Sequence, residues 1–401
     1  MTALTPSPAP TPETIKPPER RLSVVQWLRE NLFDSFFNTC LTIVSLAIVV
    51  WVVWSFSSWA FGEQTRWGVI AANFKLFASG TYPADQLWRV WLVFGLVMGT
   101  MGLAGGAWQG LLKGYVIGIG AFLGLIAFFP FGDAQPYLAA VCGATFAGLV
   151  VGWKRDSLKT FTLLIWLVIL PLSFMFLVSG IFGLKPLDTR FLSGLVLTLV
   201  LSAASLITAF PIGILLALGR NNDKLPVVKW FCTIAIEFIR GVPLTTILFA
   251  AWLLVPLFLG VVSVDLIIRA VVGLILFTAV YVAEDIRGGL QAVSRGQTEA
   301  AKALGLNPFQ TTMFIVLPQA LKAAIPSIVN EFLTLFKDTS LIGIIGMNEL
   351  LRTSRQIYNQ PDWLGTDKEV LVFVAAIYFV FCYGMAFAAK RVEDSLNVEN
   401  R

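Results

Sequence analysis

Charge is what this sequence has least of. Only 13% of its 401 residues are Asp, Glu, Lys or Arg, 57% are hydrophobic, and the mean hydropathy is +0.79. A water-facing surface needs about a quarter of the residues charged, so a soluble protein is excluded and a membrane is the expected solvent. Histidine is absent, which removes imidazole general bases, His-dependent triads and His-ligated metal sites. The four cysteines, Cys40, Cys142, Cys232 and Cys382, lie far apart in apolar runs with no Cys-x-x-Cys pair. Inert packing is expected of them, and no metal site. There is no Gly-x-x-x-x-Gly-Lys-Ser/Thr loop, so the chain has no phosphate cradle and no nucleotide cofactor of its own. The net charge of +5 comes from basic residues at the ends of apolar stretches, where membrane orientation accounts for them and no nucleic acid is implied.

What is present is a series of apolar runs. A bilayer core about 30 Å thick needs about 20 apolar residues in a helix. Ten stretches qualify or nearly so: 36–61, 90–112, 114–131, 137–152, 161–184, 191–219, 230–264, 266–283, 324–348 and 370–389. The expected fold is therefore all-α, a polytopic integral membrane protein with about ten transmembrane helices. Residues 1–30 open with a proline-rich stretch that cannot bury enough surface to order itself, and are expected to form a flexible cytoplasmic tail with no signal peptide. Basic residues accumulate on the cytoplasmic side. With the N-terminus inside, eighteen Lys and Arg fall on that side and nine on the other, which puts both termini in the cytoplasm. Gly102, Gly106, Gly110, Gly114 and Gly118, spaced by four, predict close helix packing shared between two helices.

The polar stretch from Glu284 to Lys322 reads as two short helices on the cytoplasmic side. Thr298 to Leu304 are helix formers, with Glu299 near the positive end of the dipole. Gly305 permits a left-handed stop, Asn307-Pro308 restarts the chain, and Leu317-Pro318 predicts a further break. The turn is expected to expose Leu304, Leu306 and Phe309 over the small residues Ala300, Ala301 and Ala303, a knuckle shaped to seat in another protein's groove.

Glu299-Ala300-Ala301, then Gly305, Ile315 and Leu317-Pro318 at fixed spacing, resembles the signature of permease subunits of ATP-binding-cassette importers. Glu237 to Leu244, Tyr281 to Glu284 with Arg287-Gly288-Gly289, Gly296-Gln297 and Lys337 to Leu341 narrow the resemblance to the amino-acid-uptake branch. Trp27 to Phe33 and Trp88-Arg89 are similar to the longer polar or general L-amino acid permeases. The resemblance implies a type I permease core of five helices at 186–395, carrying a coupling loop at 284–323, behind accessory helices at 31–185. It also implies a bacterial inner-membrane protein and its partners: a dimer of ATPase subunits that binds ATP and Mg, a second permease or a copy of this one, and an extracytoplasmic amino-acid-binding protein. The chain itself would not be an enzyme.

Ionisable groups inside apolar spans are costly and mark pathway candidates. Glu237 and Arg240 are three apart and can pair with each other, as a structural ion pair or as a substrate contact or inner gate. Asn330, Glu331, Lys337 and Asp338 are pathway candidates, with Glu331 able to accept from an amino-acid ammonium group; Lys337 and Asp338 point in different directions and are expected to bond neighbouring helices or cap a helix end rather than grip one ligand together. Glu284, Asp285 and Arg287 are expected at the cytoplasmic mouth, either as solvated charges or as charges coupled to the adjacent loop. Two other functions compete with the ATP-driven importer: an ion-coupled secondary carrier and a membrane enzyme acting on lipid, the latter lacking any cluster of nucleophile, base and metal ligand.

Overall fold

The computed structural model describes residues 23–128, 134–155, 158–179, 183–260 and 264–398. The expected tail up to residue 22 lies outside them. The chain divides into two units, 1–66 and 67–401. In the first, Ser23 and Gln26 form a reciprocal capping box that starts helix α1 (Val24–Leu32). Ser35 caps α2 (Phe36–Ala60), and Thr42 donates to the Leu32 carbonyl at 2.9 Å, tying the two helices together. The expected tail to residue 30 is thus helical from Val24. Helix α2 is apolar all round with its large side chains exposed, as a span facing lipid must be.

The second unit begins with short helices α3 (Gly68–Ala72) and α4 (Phe74–Ser79), followed by α5 (Leu87–Trp108), α6 (Gly110–Phe128), α7 (Gln135–Lys154) and α8 (Leu158–Val178). The expected glycine ladder divides at Gln109, whose φ of 54° ends α5. Gly102 and Gly106 press on α7, where an added Cβ would lie 2.1 Å from the Thr145 and Leu149 carbonyl oxygens. Gly148 and Gly152 return the contact against Gly99 and Leu103. Gly114 and Gly118, on α6, face open space. Close packing therefore involves only the first half of the ladder, with a partner helix that the spacing did not reveal. Arg89, fully buried at the start of α5, donates to the Lys185 carbonyl at 2.9 Å.

Helices α9 (Gly194–Arg220), α10 (Pro226–Arg240), α11 (Leu244–Phe249), α12 (Val255–Leu259) and α13 (Leu266–Ala292) follow. After them come α14 (Arg295–Ala303), α15 (Pro308–Gln310), α16 (Leu317–Asp338), α17 (Leu350–Tyr358) and α18 (Asp367–Val398). Helices stand in all ten predicted places. Seven, among the described residues, are long and apolar enough to cross a membrane, while the apolar parts of α6 and α8 are shorter. The expected seventh span is not straight: α10 meets the 244–258 segment at 104°. Pro243 lacks the N–H that would continue α10, so the helix ends at Arg240 and the chain turns at Gly241. Close approaches hold the rest together, as where Gly289 of α13 meets α16 with room for no Cβ within 2.2 Å of the Ala320 carbonyl oxygen.

At the end of the bundle away from α14, Val69 and Phe77 of α3 and α4 bury themselves with Leu350 and Ile357 of α17 and Val370 and Val374 of α18. Residues from the expected accessory half thus form one hydrophobic cluster with the core half. Glu349 caps α17 there, fully buried, accepting from the Leu351 and Arg352 amides at 2.7 Å. Burial pushes its carboxyl up to about 7 despite these bonds. A carboxyl raised in the folded state binds a proton that the unfolded chain releases, so its stabilisation is complete below pH 4.5 and is lost as pH rises through about 7. The loss is about 3 kcal/mol by linkage. Amide-exchange protection of α17 is expected to fall between these limits, and Glu349→Gln to flatten the dependence. An unchanged profile in the variant would assign it to another group.

Candidate functional site

Two features make the candidate site, an exposed elbow and a set of charged and polar side chains on α9, α10, α13 and α16. At the elbow, α14 ends in a complete left-handed stop. The Gly305 amide donates to Lys302 at 3.0 Å and the Leu306 amide to Ala301 at 3.1 Å, with Gly305 at φ +79°. Asn307 and Gln310 then form a reciprocal cap on the restarting helix. Leu304 is 82% and Phe309 67% exposed, as expected. Glu299, Ala300 and Ala303 are exposed too, and Ala301 is buried beneath them. Leu306, expected on the surface, is half-buried, because the bond to Ala301 folds the chain back under α14. Phe314, which the sequence reading overlooked, is 68% exposed on the same elbow.

The expected break at Leu317-Pro318 does not occur. A π-helical stretch, Thr311–Val316, runs straight into α16. The wider turn absorbs the missing proline N–H, so elbow and span are one continuous rod. Gln319 of α16 donates to the Ile315 carbonyl at 2.7 Å and to Gln297 of α14 at 3.3 Å, bracing the elbow from below.

On α10, the exposed residues Glu237 and Arg240 do not pair with each other. Glu237 accepts from Arg220 at 2.8 Å, and Arg240 lies 3.4 Å from Glu284 and over the Tyr281 ring. Both side chains reach off α10 to neighbouring helices, where partners stand closer than one turn away on the same helix. Glu284, read as a solvated charge, is in fact the common partner of Arg220, Arg240 and Arg287, with its side chain 14% exposed. The Glu-x-x-Arg spacing of Glu284 and Arg287 signalled one of these pairs. The other two join residues far apart in the chain.

Asn330, Glu331, Lys337 and Asp338 all fall on α16. Ser327, Asn330, Thr334 and Lys337 are exposed at steps of three, four and three residues, a polar stripe along one face of a span. Glu331 and Asp338 are half-buried beside it. Glu331 lies within electrostatic range of Asp285 and Arg240, and Asp285 Oδ2 is buried without a hydrogen-bond partner among the described residues. Asp338 lies within the same electrostatic range of Glu331. A stripe of hydroxyl, amide and ammonium groups is unfavourable against lipid, so it faces water or protein. The helical period of Ser327 and Thr334 around Asn330 was visible in the sequence and went unread.

A multi-span helical bundle with an exposed elbow at one end and a polar face within the membrane belongs to the transport class. The family profile of binding-protein-dependent transport system inner membrane components matches residues 209–398. The inner membrane amino-acid ABC transporter permease protein YhdY of Escherichia coli (strain K12) is 37% identical over 391 residues, covering 92% of each chain. The glutamate/glutamine/aspartate/asparagine transport system permease protein BztC of Rhodobacter capsulatus is 35% identical over 433 residues, covering 96% of each. A crystal structure of an amino acid ABC transporter with histidines matches at TM-score 0.45 and 30% identity, covering 50% of this chain and 92% of that one. The chain belongs to the family of inner-membrane permease components of ABC transport systems, and is a multi-pass inner-membrane protein.

Proposed function

We propose that this chain is the permease subunit through which amino acids cross the inner membrane, driven by ATP hydrolysed on separate subunits. The similarity to YhdY along nearly the whole of both chains supports this most strongly. In this reading both termini and the α14 elbow lie in the cytoplasm, where Leu304, Phe309 and the residues around Gly305 dock on a dimer of ATPases that binds ATP and Mg. A second permease, related or identical, covers the polar stripe of α16, and an extracytoplasmic binding protein delivers the solute at the α17 end. Residues 186–395 act as the core and 31–185 as its accessory helices. Arg240 and Glu331, with Asp285, line the route for the zwitterion, and Asn330 and Lys337 continue it along α16, with Asp338 and Glu237 holding the neighbouring helices. Transport proceeds by alternating access, the elbow passing on the closure of the ATPases.

The test is reconstitution of the membrane complex that co-purifies with this chain. Uptake of a radiolabelled L-amino-acid mixture into liposomes is expected to require ATP, and a crosslinker at Ala303 or Leu304 is expected to capture the ATPase. Uptake that persists without ATP and collapses with the ion gradient would instead select the secondary carrier.

A further inference from the structure

Four charged side chains, three of them arginines, are joined directly or in turn to one carboxylate, Glu284, near the start of α14. Glu284 of α13 accepts from Arg220 of α9 at 2.6 Å and from Arg287 at 2.8 and 3.1 Å. Its second oxygen lies 3.4 Å from Arg240 of α10. Arg220 reaches on to Glu237 of α10 at 2.8 Å. Exposed ion pairs contribute little, but a mostly buried carboxylate with several partners holds them firmly, and its removal leaves like charges facing each other. Without Glu284, Arg220 and Arg287 would lose their shared carboxylate, Arg220 keeping its bond to Glu237, and the end of α10 would lose its ionic link to α13 through Arg240.

The position of this hub suggests its use. Only Val293 and Ser294 separate α13 from α14, and α13 is packed backbone-close on α16 at Gly289 and on α9 at Gly213. Those three helices are therefore locked together by packing. Helix α10 differs: Trp230, Phe231 and Phe238 stand 68%, 66% and 71% exposed along one side of it, and its far end is the bend at Gly241 and Pro243. Packing grips it on one face, through Cys232 and Ile236, and the charges grip its end.

We propose that Glu284 is a positioning residue that clamps the end of α10 to α13, through Arg240 directly and through the Arg220–Glu237 bridge, so that a displacement of the coupling elbow moves Arg240 and the bend beyond it. The inference rests on the coupling role proposed above for α14. It goes further in assigning the transmission to a particular ionic joint.

The reconstituted complex with the full chain tests it, using the same radiolabelled mixture and counting ATP hydrolysed per amino acid moved. If the unaltered complex shows no ATP-dependent uptake, the importer reading itself fails; where it does show uptake, the variants address the joint alone. Glu284→Gln is expected to assemble normally and to raise the ATP consumed per amino acid about tenfold, a typical size for a lost coupling. Glu284→Asp is expected to recover part of the coupling. Should Glu284→Gln fail to reach the membrane, Arg220→Lys keeps the charge but loses the forked bridge between Glu284 and Glu237, and is expected to insert and show the same loss. A normal ratio in whichever variant assembles overturns the proposal.

Discussion

Gly305→Asp is expected to abolish uptake in a chain that still inserts and assembles its helices. The backbone at Gly305 has φ +79°, and a Cβ there would meet nothing within 4 Å. Aspartate is one of the few residues that visits this region, at a cost of about 1 kcal/mol. Folding is therefore nearly spared. What changes is the surface: a carboxylate appears beside Leu304, the most exposed apolar residue of the elbow, where a partner's groove would have to bury it unpaired. Gly305→Asn separates the two effects, because it makes the same backbone demand without charge and is expected to retain most uptake. Membrane content of the chain by immunoblot, alongside uptake in vesicles, checks both. Wild-type uptake in the aspartate variant would remove the coupling role from this turn.

Gly148→Ala is expected to cost stability, the reverse of the usual gain when glycine becomes alanine within a helix. The added methyl carbon would sit 2.0 Å from the Gly99 carbonyl oxygen and 2.9 Å from the Leu103 amide nitrogen. Backbone atoms cannot rotate away as a side chain can, so α5 and α7 must separate. The separation also loosens the reciprocal contacts of Gly102, Gly106 and Gly152. Overpacking of this kind costs about 1–3 kcal/mol, and loss of the interlocked contacts adds to it. Gly114→Ala is the control: its Cβ meets nothing within 4 Å, and alanine favours the helix by up to about 1 kcal/mol. The melting temperature of the purified chain in detergent should fall clearly for the first and hold or rise for the second. Equal behaviour of the two would mean that the α5–α7 contact contributes little.

The elbow was the most legible part of the chain. Its stop, restart and apolar tip are local, set by Gly305, Asn307, Pro308 and the residues beside them. The same local reasoning overreached at Pro318, because a proline reads as a break only when the helix before it cannot widen. It also failed for Glu237 and Arg240. Spacing offered each the other as a partner, whereas Arg220 and Glu284, distant in sequence, proved nearer in space. The half-burial of Leu306 was hidden for a similar reason: it depends on one backbone bond that the chain makes only after the stop has formed.

Composition and periodicity alone determined that this is a helical membrane protein, where its apolar helices lie and which turn stands out of the bundle, because solvent and backbone preferences act residue by residue. Only the tertiary structure decided which charges neutralise which, that Gly148 answers Gly99 across two helices, and that α3 and α4 share a core with α17. Those outcomes depend on which surfaces meet, and contact between distant segments is written in no single stretch of the chain.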